Sequence, residues 1–268
     1  MSIFTDYHMH SDFSGDSQAP MEQMIQRGID LGLTTMCFTE HMDKNVINEG
    51  TNFEVDTKSY QEGFLPLKEK YRGQIELLFG IELGIEPRYQ KFLEQYVQTY
   101  SFDFIIGSSH IVDGIDPYYP AYYEGRTEEE AYRRYFESVL ENLTAFSDID
   151  VYGHLDYIVR YGPNKNRYFS YEGYRDLIDP ILKTLVEKGI GLEINSGGYR
   201  HGLGLPNPCP EIIKAYRQMG GEIVTVGSDA HAPEFIASHF DDVKELLLAC
   251  GFSCYTIFRE RRPEFIKI

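Results

Sequence analysis

Residues 2–17 read SIFTDYHMHSDFSGDS, a short apolar run that closes on His8 and His10 and passes into a loop of small and acidic residues. A strand places positions i and i+2 on one face, so both rings point the same way at the strand's carboxyl end. The chain has only eight histidines, and later apolar runs close in the same manner. Candidate strands fall at 2–7, 34–39, 75–82, 103–107, 150–155, 190–195 and 222–227, with a short extra run at 254–258. Amphipathic patterns of helical period separate them, at 19–33, 59–71, 90–99, 127–146, 171–189, 209–220 and 240–251. Three of these end at Gly189, Gly220 and Gly251, the expected stop signal. About seven alternating strand and helix units predict an α/β fold built on a parallel sheet. No Gly-x-Gly-x-x-Gly follows the first strand, so an open dinucleotide-binding sheet has no support.

Polar, titratable residues close every candidate strand. His8 and His10 close the first, Glu40 and His41 the second, and Glu82 the third; His110 follows the fourth. His154 and Asp156 close the fifth, Glu193 and Asn195 the sixth, and Asp229 and His231 follow the seventh. Core histidines would scatter over both ends of the elements, whereas six of the eight gather at the carboxyl ends, the rim where barrel enzymes carry their chemistry. Imidazole and carboxylate without thiolate suit zinc, iron or manganese better than calcium or an iron–sulfur cluster. The supply exceeds the three protein ligands of a simple catalytic zinc site, so more than one ion is expected. Ions a few Å apart can clamp the entering and leaving oxygens of a phosphoryl group.

Cations on the same rim mark the substrate. Arg160 follows His154 and Asp156, and Arg200 follows the sixth strand; a guanidinium fork matches phosphate geometry. Lys165 and Arg167 are weaker candidates for that role. His201 is read as a substrate contact and His239 as lying outside the site. Asp12 and Asp43 fit solvated turns as well as any function. Two long connections, 111–129 with four tyrosines and 159–173, follow strands four and five, where barrels keep substrate contacts.

The composition bounds the rest. A chain of 268 residues can bury a large core and is read as one domain, 1–268. Forty-two acids against 25 bases give a net charge of −17, which repels a nucleic-acid backbone. The first residues lack a basic leader and no run is long enough to span a membrane, so a cytoplasmic location is expected. The four cysteines form no Cys-x-x-Cys pair and read as reduced thiols.

In order, DYHMHSDFSGD, FTEH, GIELG, GSSH, YGHLD and VGSDAH resemble the motifs of the polymerase and histidinol phosphatase (PHP) family, over nearly the whole chain and most closely in its bacterial histidinol-phosphatase branch. The resemblance implies a distorted seven-stranded (β/α) barrel with three divalent ions, manganese, iron or zinc. It implies a first ion on His8, His10, Glu82 and Asp229, a second on Glu82, His110 and His154, and a third on Asp16, His41 and His231. Some relatives carry histidine at the position of Asp16. The implied reaction is hydrolysis of L-histidinol phosphate, a step of histidine biosynthesis, by a hydroxide bridging two ions. Arg160 and Arg200 would hold the phosphate, and Asp229 or His231 would supply a proton to the leaving oxygen. Tyr161, Asn195, Asn207 and His201 are expected around the rest of a small phosphate ester. Alternatives are a relative acting on another phosphate ester or a nucleotide, a barrel hydrolase of amides, which would not need the two arginines, and a binding protein without turnover. Oligomeric state is not legible.

Overall fold

The computed structural model describes residues 3–268. Ser2, the first position of the expected first strand, lies outside the described residues. The wall is built from β1 (Thr5–Asp6), β2 (Thr35–Asn48), β4 (Glu76–Gly84), β5 (Phe104–Ser108), β6 (Val151–Tyr152), β7 (Gly191–Asn195) and β8 (Val224–Gly227), in that spatial order. Every pairing along this path is parallel. Residues 7–10 then run against 226–230: Tyr7 N–H donates to the Val226 carbonyl (3.0 Å), Asp229 N–H to His8 (2.7 Å) and His10 N–H to Ala230 (2.9 Å). These bonds join the two ends of the sheet and make a distorted (β/α)7 barrel. β4, sequence ELLFGIELG, is buried from Leu77 to Gly84 because parallel strands are covered on both faces.

The outer layer is α1 (Met21–Asp30), α2 (Thr57–Lys70), α3 (Gln90–Thr99), α4 (Glu128–Ala145), α5 (Arg175–Lys188), α7 (Pro210–Gln218) and α8 (Phe240–Ala249); α6 (Gly197–Arg200) is a single turn on the rim. α4 starts on a capping box, Thr127 Oγ1 accepting from Glu130 N–H (3.2 Å) and Glu130 from Thr127 N–H (2.7 Å), which satisfies two N–H groups that the helix leaves unpaired. The amino-terminal end of the barrel is plugged by the hairpin β9 (Cys254–Arg259) and β10 (Arg262–Lys267). Tyr7 hydroxyl donates to the Phe258 carbonyl (3.0 Å) and accepts from Phe258 N–H (3.1 Å), while Arg259 grips Glu76 and Arg261 grips Asp150. The carboxyl-terminal run is therefore a strand pair that closes the body.

The strand expectations are corrected in three places. Thr5–Asp6 and Val151–Tyr152 are shorter than 2–7 and 150–155, because the chain leaves the ladder early to aim His8, His10 and His154 inward. β2 runs to Asn48 rather than 39, where it turns back as β3 (Thr51–Glu54). Glu49 and Gly50 both have positive φ, 49° and 88°, the geometry of a two-residue hairpin turn matched to strand twist. This hairpin stands over the rim of the barrel.

Candidate metal centre and its cavity

Five of the six strand-end histidines, His8, His10, His41, His110 and His154, come within 3.5 Å of Glu82, and His231 stacks on His10. His8 and His10 are fully buried with their Nε2 atoms 3.1 Å apart, as the i, i+2 spacing requires. Glu82 Oε2 lies 3.2 Å from His8 Nε2 and 3.5 Å from His10 Nε2; Asp229 Oδ1 lies 3.7 and 3.6 Å from the same two atoms. A tetrahedron of 2.0–2.1 Å metal–ligand bonds has edges of about 3.3 Å, so these four donors fit one divalent cation. The other oxygen, Glu82 Oε1, is 2.8 Å from His154 Nε2 and 3.2 Å from His110 Nε2, which are 3.5 Å apart. This is a second set, joined to the first through one carboxylate. Asp16 Oδ2 lies 3.0 Å from His231 Nε2 and 3.5 Å from His41 Nε2, a third and more open set. Glu82 Oε2 is buried without a hydrogen-bond partner, as expected of an atom arranged for a cation.

Charge supports the same reading. Burial opposes ionisation of Glu82 and Asp229, yet His8 with His110 and His8 with Arg160 hold the two carboxyls well below their usual range. His8, despite burial, is pushed well above its ordinary value by Glu193, Glu82 and Asp229, whereas burial and the nearby His41 and His231 hold His10 well below. The cluster is a buried excess of carboxylate that calls for positive charge.

Residues behind the donors fix ring orientation. His8 Nδ1 lies 2.5 Å from Glu193 Oε1, His110 Nδ1 2.8 Å from Asp43 Oδ1, and His231 Nδ1 3.0 Å from the Asp229 carbonyl. A carboxylate or carbonyl oxygen can only accept, so each ring keeps a proton on Nδ1, and Nε2 is the nitrogen left to serve a cation. Asp43 is therefore not a solvated turn: it is 3% exposed. Glu193 and Asp43 stand out in the sequence as acids near strand ends, but nothing there pairs them with their histidines. Asp12 is structural, accepting from Met21 N–H at the start of α1 (3.3 Å).

A cavity of about 470 Å³ opens over the centre, lined by Asp16, His41, His110, His154, Asp229 and His231, with Arg160, Tyr161, Arg200 and His201 on one wall. Phe53 of the β2–β3 hairpin and Tyr118 and Tyr119 also line it, Tyr118 packing edge-on against Tyr161 with ring centroids 5.2 Å apart. Arg160 is 4% exposed and donates to Asn207 Oδ1 (2.8 Å), Asp229 Oδ2 (2.8 Å) and Asn195 Oδ1 (2.9 Å). Three of its five N–H groups are thus held, leaving two for a ligand. Asn195 and Asn207, expected around the substrate, are fully buried, do not line the cavity, and instead position Arg160. Asn207 also donates to Asp156 (2.6 Å), a buried carboxyl that burial raises to about 6. Arg200 donates to the Ser228 and Asp229 carbonyls (3.2 and 2.7 Å). Burial and Arg160 lower the His201 ring to about 3, so it is neutral. Lys165 and Arg167 are exposed and do not line the cavity; His239 pairs with Asp242 (2.8 Å) away from it.

Gly227 shows how tightly the wall is drawn around the centre. A Cβ there would lie 2.4 Å from the His8 Cβ and 2.8 Å from Glu193 Oε1, so only glycine lets β8 pass behind His8.

Comparison with known proteins agrees with this geometry. A histidinol-phosphatase of Lactococcus lactis is 29% identical over 253 residues, covering 92% of this chain and 91% of that protein. A Clostridium acetobutylicum protein named probable histidinol-phosphatase is 32% identical over 257 residues, covering 96% and 97%. The crystal structure of Lactococcus lactis histidinol phosphate phosphatase, complexed with zinc, L-histidinol and phosphate, matches with a TM-score of 0.90 at 28% identity, covering 98% of this chain and 99% of that one. The PHP domain model matches residues 6–197. With 192 of 268 residues inside that match and the donor residues meeting at one end of the barrel, the chain belongs to the PHP domain family.

Proposed function

We propose that this chain is a metal-dependent phosphomonoesterase that hydrolyses L-histidinol phosphate to L-histidinol and phosphate, in histidine biosynthesis. The observation that carries the reading is the meeting of three carboxylate–imidazole sets, two of them sharing Glu82, with Arg160 and Arg200 on one cavity. Three divalent ions are proposed, on His8, His10, Glu82 and Asp229, on Glu82, His110 and His154, and on Asp16, His41 and His231, with zinc favoured by the Lactococcus lactis complex. When bound, such ions supply Lewis acidity to phosphoryl oxygens and make water a nucleophile at neutral pH.

The chain's own residues do the rest. Arg160, desolvated and held at three nitrogens, presents its free N–H groups to the non-bridging oxygens with little reorganisation, and Arg200 adds a second guanidinium. Water adds to phosphorus as the P–O bond to the alcohol breaks, and the leaving oxygen takes up a proton. Asp229, held ionised, orients and polarises the incoming water; the His231 Nε2 lone pair belongs to the third donor set, so the proton for the leaving oxygen comes from water in the cavity. Tyr161 and His201 provide a wall for the organic part of the substrate. Residues 1–268 are proposed to act as one domain, and no helix among the described residues is long and apolar enough to cross a membrane. A cytoplasmic setting is proposed, and the net charge of −17 fits the absence of a nucleic-acid partner.

The test is phosphate release by metal-loaded protein from a panel containing L-histidinol phosphate, a simple alkyl phosphate, a nucleoside monophosphate and a 3′-phosphorylated oligonucleotide. A kcat/KM for L-histidinol phosphate at least tenfold above every other member is expected. Preference for a nucleotide would move the chain to another branch of the family.

A further inference from the structure

The loop SDFSGDS contains a serine that none of the assignments above uses. Ser14 is 2% exposed, and its Oγ meets three groups: Glu40 Oε2 at 2.5 Å, His10 Nδ1 at 3.1 Å and His41 N–H at 3.1 Å. Glu40 is fully buried and takes three further contacts, all from Ser11: its N–H at 3.1 Å from each carboxylate oxygen and its hydroxyl at 2.5 Å. Counting protons settles the direction of this chain. A hydroxyl donates once and accepts twice. The His41 backbone N–H can only donate, so it fills one acceptor position of Ser14. Burial raises the Glu40 carboxyl, but the Ser11 N–H and the hydroxyls of Ser11 and Ser14 all aim at its oxygens and oppose that rise, so Glu40 is the acceptor and takes the hydroxyl proton. The one position left on Ser14 Oγ is an acceptor, and the His10 Nδ1 contact must be made by an Nδ1–H donor.

We infer that Ser14 and Glu40 are positioning residues that lock His10 in its Nδ1–H form, leaving the Nε2 lone pair for the first metal set. This rests on the reading that His10 is a metal ligand. The same hydroxyl pins the His41 backbone, so one side chain sets donors belonging to two of the three sets. The loop has little room to shift, because a Cβ on the adjacent Gly15 would lie 2.1 Å from the Asn52 carbonyl oxygen of the β2–β3 hairpin. The relay works through a serine where His8 and His110 use a carboxylate directly, which explains why an acid so near the centre as Glu40 touches no proposed metal donor with its side chain.

The test is made first without metal. In chelator-stripped, 15N-histidine-labelled protein at pH 8, long-range 1H–15N correlation spectra report which ring nitrogen of His10 carries the proton. The wild type is expected to show Nδ1–H. In Glu40→Gln the single acceptor oxygen faces the Ser11 donors and the NH2 faces Ser14, which reverses the hydroxyl and drives His10 to Nε2–H; Ser14→Ala should give a mixture. Zinc affinity at the first set, by chelator competition, should fall about 10- to 100-fold in both variants. An Nε2–H ring in the stripped wild type, or variants that keep both the Nδ1–H form and wild-type zinc affinity, would overturn the inference. If the wild type shows the Nδ1–H form and binds zinc but hydrolyses no phosphate ester, the functional reading fails and the lock stands.

Discussion

Glu193→Gln is the smallest change that should disable the metal centre without touching a donor. Glu193 Oε1 accepts from His8 Nδ1, and Oε2 accepts from His154 N–H (2.7 Å) and the Asn195 amide (3.1 Å). Glutamine has the same shape but one oxygen, so some donor must face its NH2 group. If the oxygen serves His154 and Asn195, the NH2 opposes His8 Nδ1–H and pushes the ring to the Nε2–H form, which cannot bind a cation. If the oxygen serves His8, two donors in a fully buried pocket lose their acceptor, and the loss of negative charge still lowers the basicity of the ring. Partners of metal-bound histidines contribute about 10- to 100-fold in metal affinity, or about 1.4–2.8 kcal/mol. Chelator competition with metal analysis should therefore show zinc weakened by that factor, with turnover recovering as zinc is raised and circular dichroism unchanged. Wild-type zinc retention in a folded Glu193→Gln protein would refute the assignment of His8 as a ligand oriented by Glu193.

Two further changes probe the structure around the centre. Asn207→Ala removes an acceptor from Arg160 and a donor from buried Asp156, and since hydrogen bonds to charged groups contribute about 1.5–3 kcal/mol each, urea unfolding should show a loss of that order; KM should rise with metal content unchanged, and an unaltered KM would mean that Arg160 needs no such support. Asp150 at the plugged end is raised to about 6 by burial, against the pull of Arg261. The folded state then holds more protons than the unfolded one between about pH 4 and 6, so stability from this group falls as pH rises through that window. The full shift is worth about 3 kcal/mol, and Asp150→Asn should gain on the wild type from pH 4 to 6.5 in urea midpoints; parallel curves would exclude the effect.

Much of this was legible because a parallel barrel imposes a simple rule: apolar runs make the wall and the residues directly after each run make the rim. Helical periodicity locates α3 at residues 90–99, and the rim rule brings His8, Glu82, His110, His154 and Asp229 to one end. It fails where pairing is carried by backbone rather than by apolar pattern, as in the extension of β2 to Asn48 and its return as β3. It also fails for partners, since His8 and Glu193 are 185 positions apart and His110 and Asp43 are 67 apart. Asn195 and Asn207 escape it for the same reason. Their polarity suggests a substrate, whereas the three-dimensional structure spends it on a buried arginine that must be held in place.

The most direct test combines metal and the shared carboxylate. Phosphate release from L-histidinol phosphate should vanish in chelator-stripped wild type and return on adding zinc or manganese, while Glu82→Ala, verified as folded, should neither load metal fully nor turn over. Turnover by the stripped protein, or a wild-type rate in Glu82→Ala, would contradict the account.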